Sequence, residues 1–262
     1  MLRFSNLLFE AGHTVVTLLT KHMQFSTAAL TDLGLVRSEN EDRFLSDPTI
    51  GLFAVADGIG GLPHGAEAAE CVVSTLAESI RNNIAGDKIV DLAAAVNQAN
   101  TSVLQLGVNL TPSTGLGCTL CVGFIHSGFM KLANVGDSRC YLMRNGEVNL
   151  LTTDDTVEHE VEMRRARGEK IQLDERYRNA LTRCMGQPMD LDLKIFVHAV
   201  QKGDVLLFCS DGISRMILEK DILGRMRDSD SPDQAARGLI ADAMAAGGHD
   251  NATVVVVRID AL

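Results

Sequence analysis

Aspartates recur at the ends of apolar segments of the sequence, each followed by glycine or a small polar residue. They form these pairs: Asp57-Gly58, Asp137-Ser138, Asp211-Gly212 and Asp250-Asn251. The first three pairs follow an apolar run, and the fourth precedes one. A single pair of this kind is most often a turn, because Asp-Gly is a common turn dipeptide. Their recurrence predicts instead that buried strands present carboxylates at a shared edge.

Carboxylates that approach one another away from water are costly unless cations neutralise them. Oxygen ligands suit Mg²⁺, Mn²⁺ or Ca²⁺, whereas zinc usually recruits histidine or cysteine. Gly58 and Gly212 fit such a site, because a residue without Cβ lets its backbone come close to an ion. The pattern therefore predicts a centre for divalent cations.

A charged segment precedes the first of these aspartates and reads Arg37-Ser38-Glu39-Asn40-Glu41-Asp42. Alone it is typical of a solvated loop. In company with the aspartate pairs it adds carboxylates and one guanidinium. Arg37 then becomes a candidate for bidentate binding of phosphate oxygens, which match the planar fork of arginine.

Length and charge restrict the classes of function. A chain of 262 residues with 46% hydrophobic content suits one large domain or two small ones. The formal net charge of -10 and the lack of a Lys/Arg cluster argue against nucleic-acid binding. No apolar stretch reaches the ~18 residues of a membrane helix. We therefore expect a cytoplasmic, soluble protein without a nucleic-acid or membrane partner.

The cysteines are scattered through apolar runs, as in core residues of a reducing compartment. Cys118 and Cys121 form a C-x-x-C motif without the second pair that zinc would need, and in a strand they would face opposite sides. Residues 1–22 lack the small-residue cleavage site of a secretory signal. They are an extension of unknown role, or Met23 is the true start.

Apolar patterns predict the elements that position these residues. Predicted strands cover residues 50–56, 119–125, 129–135, 140–143, 205–209 and 252–259, with shorter strands from residue 25 onward. Helical spacing predicts helices within 69–80 and 89–103. Another helix begins at Ser231-Pro232 and ends at Gly247-Gly248, and Asn145-Gly146 predicts a hairpin turn. Strand clusters separated by helix pairs favour an α+β fold with antiparallel sheets.

The motifs, in this order, resemble those of the PPM/PP2C family of metal-dependent protein phosphatases, particularly its compact bacterial members. The matching segments are 37–42, 55–61, 117–119, 134–139, 181–186, 209–212 and 250–253. Together they extend over about residues 25–259. The resemblance implies a four-layer α-β-β-α sandwich, with two antiparallel sheets flanked by helices, as a catalytic domain over 23–262. It also implies a variable flap at about residues 154–178.

The resemblance further implies roles for individual residues around two or three Mn²⁺ or Mg²⁺ ions. Asp57 would bridge the two principal ions, and Gly58 would offer its carbonyl. The remaining predicted ligands are Asp211 and Asp250 for one ion, Glu41 and Asp42 for the other, and Asp137 with Asp211 for a third. Arg37 would hold the substrate phosphate.

The chain departs from the family pattern at a few positions. Cys118 replaces a threonine, and Ala66 replaces the glutamate of many relatives. Some relatives carry a histidine, a candidate general acid, where this chain has Ile59. His64 could supply the acid from nearby, although a solvent-facing histidine near a helix start is the simpler interpretation.

The reaction implied is hydrolysis of phosphoserine or phosphothreonine in proteins by metal-activated water, without a phosphoenzyme. The cysteines offer no Cys-x5-Arg loop for a tyrosine-phosphatase mechanism. The expected partners are phosphorylated substrates of a cognate Ser/Thr kinase, and the expected state is a monomer. The alternatives are a two-metal phosphodiesterase or nuclease, and a non-catalytic phosphoprotein-binding regulatory module on the same fold.

Overall fold

A computed structural model of the chain describes residues 23–188 and 191–262. It contains two antiparallel sheets of five strands each, stacked face to face. Helices cover the outer face of each sheet. The predicted α-β-β-α sandwich is confirmed, whereas the expectations for residues 1–22 lie outside the described residues.

Ten strands build the sheets: β1 (Gln24–Asp32), β2 (Asp42–Asp47), β3 (Leu52–Asp57), β4 (Leu120–His126), β5 (Phe129–Val135), β6 (Arg139–Arg144), β7 (Glu147–Leu150), β8 (Phe196–Ala199), β9 (Val205–Cys209) and β10 (Ala252–Ala261). The helices of the described residues are α1 (Gly65–Ala85), α2 (Leu92–Leu110), α3 (Val157–Ala166), α4 (Asp211–Ser214), α5 (Glu219–Asp228) and α6 (Pro232–Ala245). One sheet has the strand order β2-β3-β4-β5-β8, and the other has the order β1-β10-β9-β6-β7.

The alternation of side chains along buried strands produces three hydrophobic layers. In β3, Leu52, Ala54 and Ala56 pack toward α1 and α2, whereas Phe53 and Val55 face the other sheet. Strands β9 and β10 divide in the same way between the second sheet's helices and the interior of the sandwich. Both faces of these strands are buried, which explains why they read as continuous apolar runs.

Local signals placed several elements correctly. The Ser231 hydroxyl accepts the Gln234 N–H at 3.2 Å at the start of α6, with Pro232 as the first helical residue. Asn145 and Gly146 both have positive φ, at 54° and 80°, as a two-residue turn between β6 and β7 requires. These boundaries are determined by neighbouring residues, and both predictions are confirmed.

Two parts of the fold were not anticipated at full extent. Strand β1 pairs along its nine residues with β10, a partner far away in the sequence. Helices α4 and α5 lie between β9 and α6, in a segment for which no helix was predicted. The apolar residues of β1 are only partly buried because it is an edge strand of its sheet.

The cysteines of the C-x-x-C motif lie on opposite sides of their sheet, as expected. Cys118 packs with α1 and α2, whereas Cys121 lies between the two sheets. Within the described part of the chain, the cysteines are free thiols. In that same part, every helix is too short or too polar to cross a membrane.

Gly212 and Gly224 provide a matched test of backbone packing. A Cβ at Gly212 would overlap the carbonyl oxygen of Asn251, whereas a Cβ at Gly224 in α5 would meet open space. We expect Gly212→Ala to lower the free energy of unfolding by about 1–3 kcal/mol or more, because rigid backbone must shift. Gly224→Ala should raise it by about 0.5–1 kcal/mol. Denaturant unfolding of both variants measures the difference, and a neutral Gly212→Ala would contradict the packing described.

Candidate active site

The pairing of β2 with β3 brings two aspartates together. Asp42 at the start of β2 lies directly opposite Asp57 at the end of β3. Asp57 continues the alternation of Phe53 and Val55, so its side chain belongs to the face between the sheets. Like charges directly across a strand pair are destabilising. The register of the β2–β3 pair therefore places two carboxylates side by side in the site.

The backbone of Asp57 is held by Thr119. The Asp57 N–H donates to Thr119 Oγ1 at 3.0 Å, and the Thr119 N–H donates to the Asp57 carbonyl oxygen at 2.8 Å. The Thr119 hydroxyl also bonds to Ser138 Oγ at 2.7 Å, next to Asp137. Thr119 thus connects the aspartate of β3 with the turn between β5 and β6.

Asp42 joins the first sheet to the second. The Ser210 hydroxyl donates to Asp42 Oδ2 at 2.7 Å and accepts the Thr253 N–H at 3.0 Å. Asp42 is 1% exposed, and none of the described residues provides a hydrogen-bond partner for its Oδ1. A buried carboxylate oxygen without a partner is costly, and it is the kind of atom that a cation or a proton satisfies. Asp211 follows Ser210 directly and begins α4.

Asn251 fixes the loop that carries Arg37. Its Oδ1 accepts the Glu41 N–H at 2.9 Å, and its Nδ2 donates to the carbonyl oxygens of Leu33 and Glu39. On the neighbouring residue, Asp250 Oδ2 accepts a hydrogen bond from Arg37 Nη2 at 2.8 Å. The two residues before β10 therefore position Arg37, the candidate for phosphate binding, and the backbone of Glu41, a predicted metal ligand.

Glycines allow the Glu41 carboxylate to approach the end of β3. A Cβ at Gly58 would lie 2.6 Å from the backbone of Gly65 and 2.8 Å from Glu41 Cβ. The Glu41 carboxylate accepts a hydrogen bond from the backbone of Gly65, at the start of α1. The lack of a side chain at Gly58 is thus a requirement for close packing with Gly65 and Glu41, and its approach to an ion stays a prediction.

Burial and mutual repulsion raise the pKa values of the clustered aspartates. Burial raises the pKa of Asp42 to about 7, and the charges of Asp211 and Asp250 add to this increase. Hydrogen bonds from the Thr253 and Ser210 side chains act in the opposite direction. Desolvation and the neighbouring carboxylates, Asp42 first, raise the pKa of Asp57 well above its usual range. Both groups therefore favour a proton or a bound cation over an uncompensated charge.

Asp137 and Asp211 are ion-paired with Arg215, a residue that was not predicted to belong to the site. Arg215 Nη2 bonds to Asp137 Oδ2, and Arg215 Nη1 lies 3.2 Å from Asp211 Oδ2. Desolvation and the charge of Asp211 still raise the pKa of Asp137 to about 7, because they outweigh Arg215. Desolvation likewise raises the pKa of Asp211, although Arg215 opposes it. The spacing of four residues between Asp211 and Arg215 was visible in the sequence.

The structure gathers the predicted ligands without arranging them as a complete set. Within 23–188 and 191–262, no three acidic, histidine or cysteine side chains surround one point as ligands of a single ion. Asp250 is turned to Arg37, and Asp137 and Asp211 are turned to Arg215. The donor set nevertheless fits Mg²⁺ or Mn²⁺, because such ions are often held by one or two carboxylates together with water.

His64 lies at the N-terminus of α1 in a left-handed backbone conformation, with φ of 62°. Its Nδ1 is 2.8 Å from Glu67 Oε1, and its side chain is 39% exposed. The solvent-facing position matches the simpler of the two interpretations, and a role as general acid stays a prediction.

The predicted flap contains α3 and is joined to the strand ends by Arg139, which is ion-paired with Asp154, and by Arg183. Arg183 Nε donates to Asp155 Oδ2 at 2.9 Å, and Arg183 Nη2 donates to the Asn134 carbonyl oxygen at 3.2 Å. Asp155 in turn accepts the Gly136 N–H at 2.9 Å. The motif segments around residues 134 and 183 therefore contact each other, which their separation in sequence did not reveal.

The raised pKa values predict an inverted pH dependence of stability without divalent cations. A carboxyl whose folded-state pKa is raised stabilises the fold below its unfolded value of 3.8, and this contribution is lost as pH rises through about 7. Asp57→Asn removes one of the repelling charges. At pH 8 in chelator it should raise Tm by at least about 3 °C, or about 1 kcal/mol, and near pH 4 the gain should vanish.

Asp47 supplies the control for this measurement. Burial raises its pKa, but hydrogen bonds from Thr49 and Arg81 outweigh it, and the net effect is a lowered pKa. Asp47→Asn should therefore lower Tm at pH 8. A loss of stability in both variants would contradict the repulsion inferred at Asp57.

Comparison with known proteins agrees with the fold and the motifs. Residues 37–252 match the family described as Protein phosphatase 2C. The serine/threonine protein phosphatase PstP of Mycobacterium tuberculosis is 34% identical over 234 residues, which cover 88% of this chain and 44% of that protein. The serine/threonine phosphatase stp of Listeria welshimeri is 30% identical over 235 residues, which cover 87% of this chain and 93% of that protein.

A solved structure of the PstP catalytic domain in complex with 2 manganese ions has a TM-score of 0.77 and 30% identity, covering 91% of this chain and 100% of that one. This chain thus spans less than half of the full mycobacterial relative, at 44%, and nearly all of the Listeria one, at 93%. With most of its length matched and the sandwich in common, the chain belongs to the protein phosphatase 2C family.

Proposed function

We propose that this chain is a metal-dependent phosphatase that hydrolyses phosphoserine and phosphothreonine in proteins. The observation that carries the proposal is the cluster of desolvated aspartates with raised pKa values beside the guanidinium of Arg37. Clustered carboxylates with strongly raised pKa values are typical of functional sites, and membership of the family supports the same chemistry.

Divalent cations are the groups that this cluster suits. We assign Asp57 to both principal ions, and Gly58 would offer its carbonyl oxygen. Asp211 and Asp250 would hold one ion, and Glu41 and Asp42 would serve the other directly or through water. When bound, such ions supply an activated water and neutralise charge on a phosphate ester. The bound Mn²⁺ of the related PstP domain supports this assignment. The unpartnered, buried Oδ1 of Asp42 supports it from this chain alone.

Arg37 is suited to hold the substrate. Its side chain is 37% exposed, and only one of its terminal nitrogens is used by Asp250. Among the described residues, the other donors of the fork have no hydrogen-bond partner, so they can bind two oxygens of a phosphate in the geometry that arginine favours. The hydrogen bonds of Asn251 to the carbonyl oxygens of Leu33 and Glu39 hold the backbone of the loop that carries this guanidinium.

The physiological setting proposed is that of a cytoplasmic enzyme acting on proteins phosphorylated by a cognate Ser/Thr kinase. The family relatives named as serine/threonine phosphatases support the substrate class. We further propose that the catalytic chain works as a monomer.

Loss of Asp57 separates folding from catalysis. Asp57→Asn should fold, because it relieves repulsion, yet it should abolish Mn²⁺-stimulated release of phosphate from a phosphothreonine peptide. Chelation of the wild-type protein should have the same effect. Unchanged turnover in either experiment rejects the proposal.

Arg37→Ala should reduce kcat/KM for the peptide by roughly 10- to 150-fold, since a hydrogen bond to a charged group contributes about 1.5–3 kcal/mol. Steady-state kinetics measures this effect. Arg225→Ala is the matched control, because Arg225 forms an exposed ion pair with Asp242 on the helices of the second sheet. Equal losses in the two variants would contradict the role of Arg37.

His64 is retained as the candidate donor of a proton to the leaving serine or threonine oxygen. His64→Asn should slow the peptide reaction by about 10²-fold or more and leave p-nitrophenyl phosphate hydrolysis nearly unchanged, because that leaving group needs no proton. Parallel assays of both substrates measure the ratio, and an unchanged ratio removes His64 from the mechanism.

A non-catalytic phosphoprotein-binding module is the second candidate. The observation that favours it is the lack of three converging ligand side chains in the described ranges. Such a module would bind a phosphopeptide in the presence of Mn²⁺ without releasing phosphate. Calorimetric binding and a phosphate-release assay on one sample distinguish the two candidates.

A further inference from the structure

Arg215 occupies a position that the mechanism above does not use. Its guanidinium lies between Asp137, which follows β5, and Asp211, which begins α4, and it is ion-paired with both. These are the two carboxylates that the family resemblance assigns to a third divalent ion. The Asp137 side chain is 5% exposed, so little solvent competes for its charge.

We infer that the guanidinium of Arg215 is the built-in cation of this carboxylate pair, and that it takes the place of a third divalent ion. The chain then binds only the two principal ions of the proposed active site. This inference rests on the proposed metal centre but concerns the number of ions, not the reaction.

The local structure makes the arrangement a stable one. Asp211 and Arg215 are four residues apart, and the Arg215 N–H donates to the Asp211 carbonyl oxygen at 2.8 Å, so one helical turn places both side chains on the same face. The Gly136-Asp137-Ser138 turn is fixed by the hydrogen bond of Ser138 to Thr119 and by that of the Gly136 N–H to Asp155. The guanidinium thus meets two carboxylates that are already positioned.

Charge and geometry both exclude a divalent ion from the same place. An ion bound by Asp137 and Asp211 would need Asp137 Oδ2, which accepts from Arg215 Nη2, and Asp211 Oδ2, which lies 3.2 Å from Arg215 Nη1, whereas a principal ion would use Asp211 Oδ1. It would also lie within a few ångströms of a fixed positive charge, where repulsion is strong in a partly desolvated site. A guanidinium cannot lose its proton to escape this repulsion.

The substitution of a tethered cation for a bound one has a chemical consequence. Arginine supplies one positive charge to the pair at any concentration of metal, because it is part of the chain. It has no coordination position, so it cannot coordinate and acidify a water as a divalent ion does. The third site thereby keeps one of the two positive charges that a divalent ion would bring, and its ligand exchange is lost.

The test counts the ions bound by each folded variant. Equilibrium dialysis against Mn²⁺ up to millimolar concentration, followed by elemental analysis, should give two ions per chain for the wild type. Arg215→Met, measured in the same Mn²⁺ so that it is folded when counted, should bind three. In the double variant Arg215→Met with Asp137→Asn, the count should return to two.

Each other outcome has a definite meaning. Three ions in the wild-type protein, or equal counts for the wild type and Arg215→Met, overturn the inference. A third ion that persists in the double variant also overturns it, since the ion is then bound elsewhere. No ion in the wild type refutes the proposed metal centre itself. Arg225→Met, at the exposed pair with Asp242, is the control and should match the wild type.

Discussion

The structure depends on one electrostatic constraint, the convergence of buried carboxylates at one end of the sandwich. The antiparallel ladders force this convergence. Strands β3, β5 and β9 all end at that edge, and β2 and β10 begin there. Each aspartate loses water and gains a like-charged neighbour, which is why burial and repulsion raise the pKa of Asp42, Asp57 and Asp137.

The surrounding scaffold holds these groups by hydrogen bonds from uncharged side chains, which orient them without neutralising them. Thr119 clamps the backbone of Asp57, Ser210 bonds to Asp42 across the two sheets, and Asn251 fixes the loop of Arg37. Such contacts orient the carboxylates while leaving much of their charge uncompensated. The three hydrophobic layers supply the stability that this arrangement lowers.

Two arginines divide the cluster into parts with different chemistry. Arg37 is partly exposed and bound to Asp250 through one nitrogen, so it can still meet a ligand from solvent. Arg215 is held by two aspartates and faces the turn after β5. The guanidinium of Arg37 is therefore available to a ligand, because one carboxylate contacts it. The guanidinium of Arg215 partly balances charge inside the protein, because two carboxylates contact it.

Runs of neighbouring residues were enough to predict the buried strands, the α6 cap, the Asn145-Gly146 turn and the aspartates that follow apolar runs, because each is a local property. Which of these residues meet depends on the fold. The pairing of β1 with β10, the position of Asp42 opposite Asp57 and the link from Thr119 to Ser138 join segments distant in the chain. The role of Arg215 also required the fold, since its spacing from Asp211 is local but its contact with Asp137 spans two sheet strands. Local sequence patterns predict strands, helices and turns. The ion pairs and pKa values of the site depend instead on distances between side chains from different segments, which are set by how the segments pack.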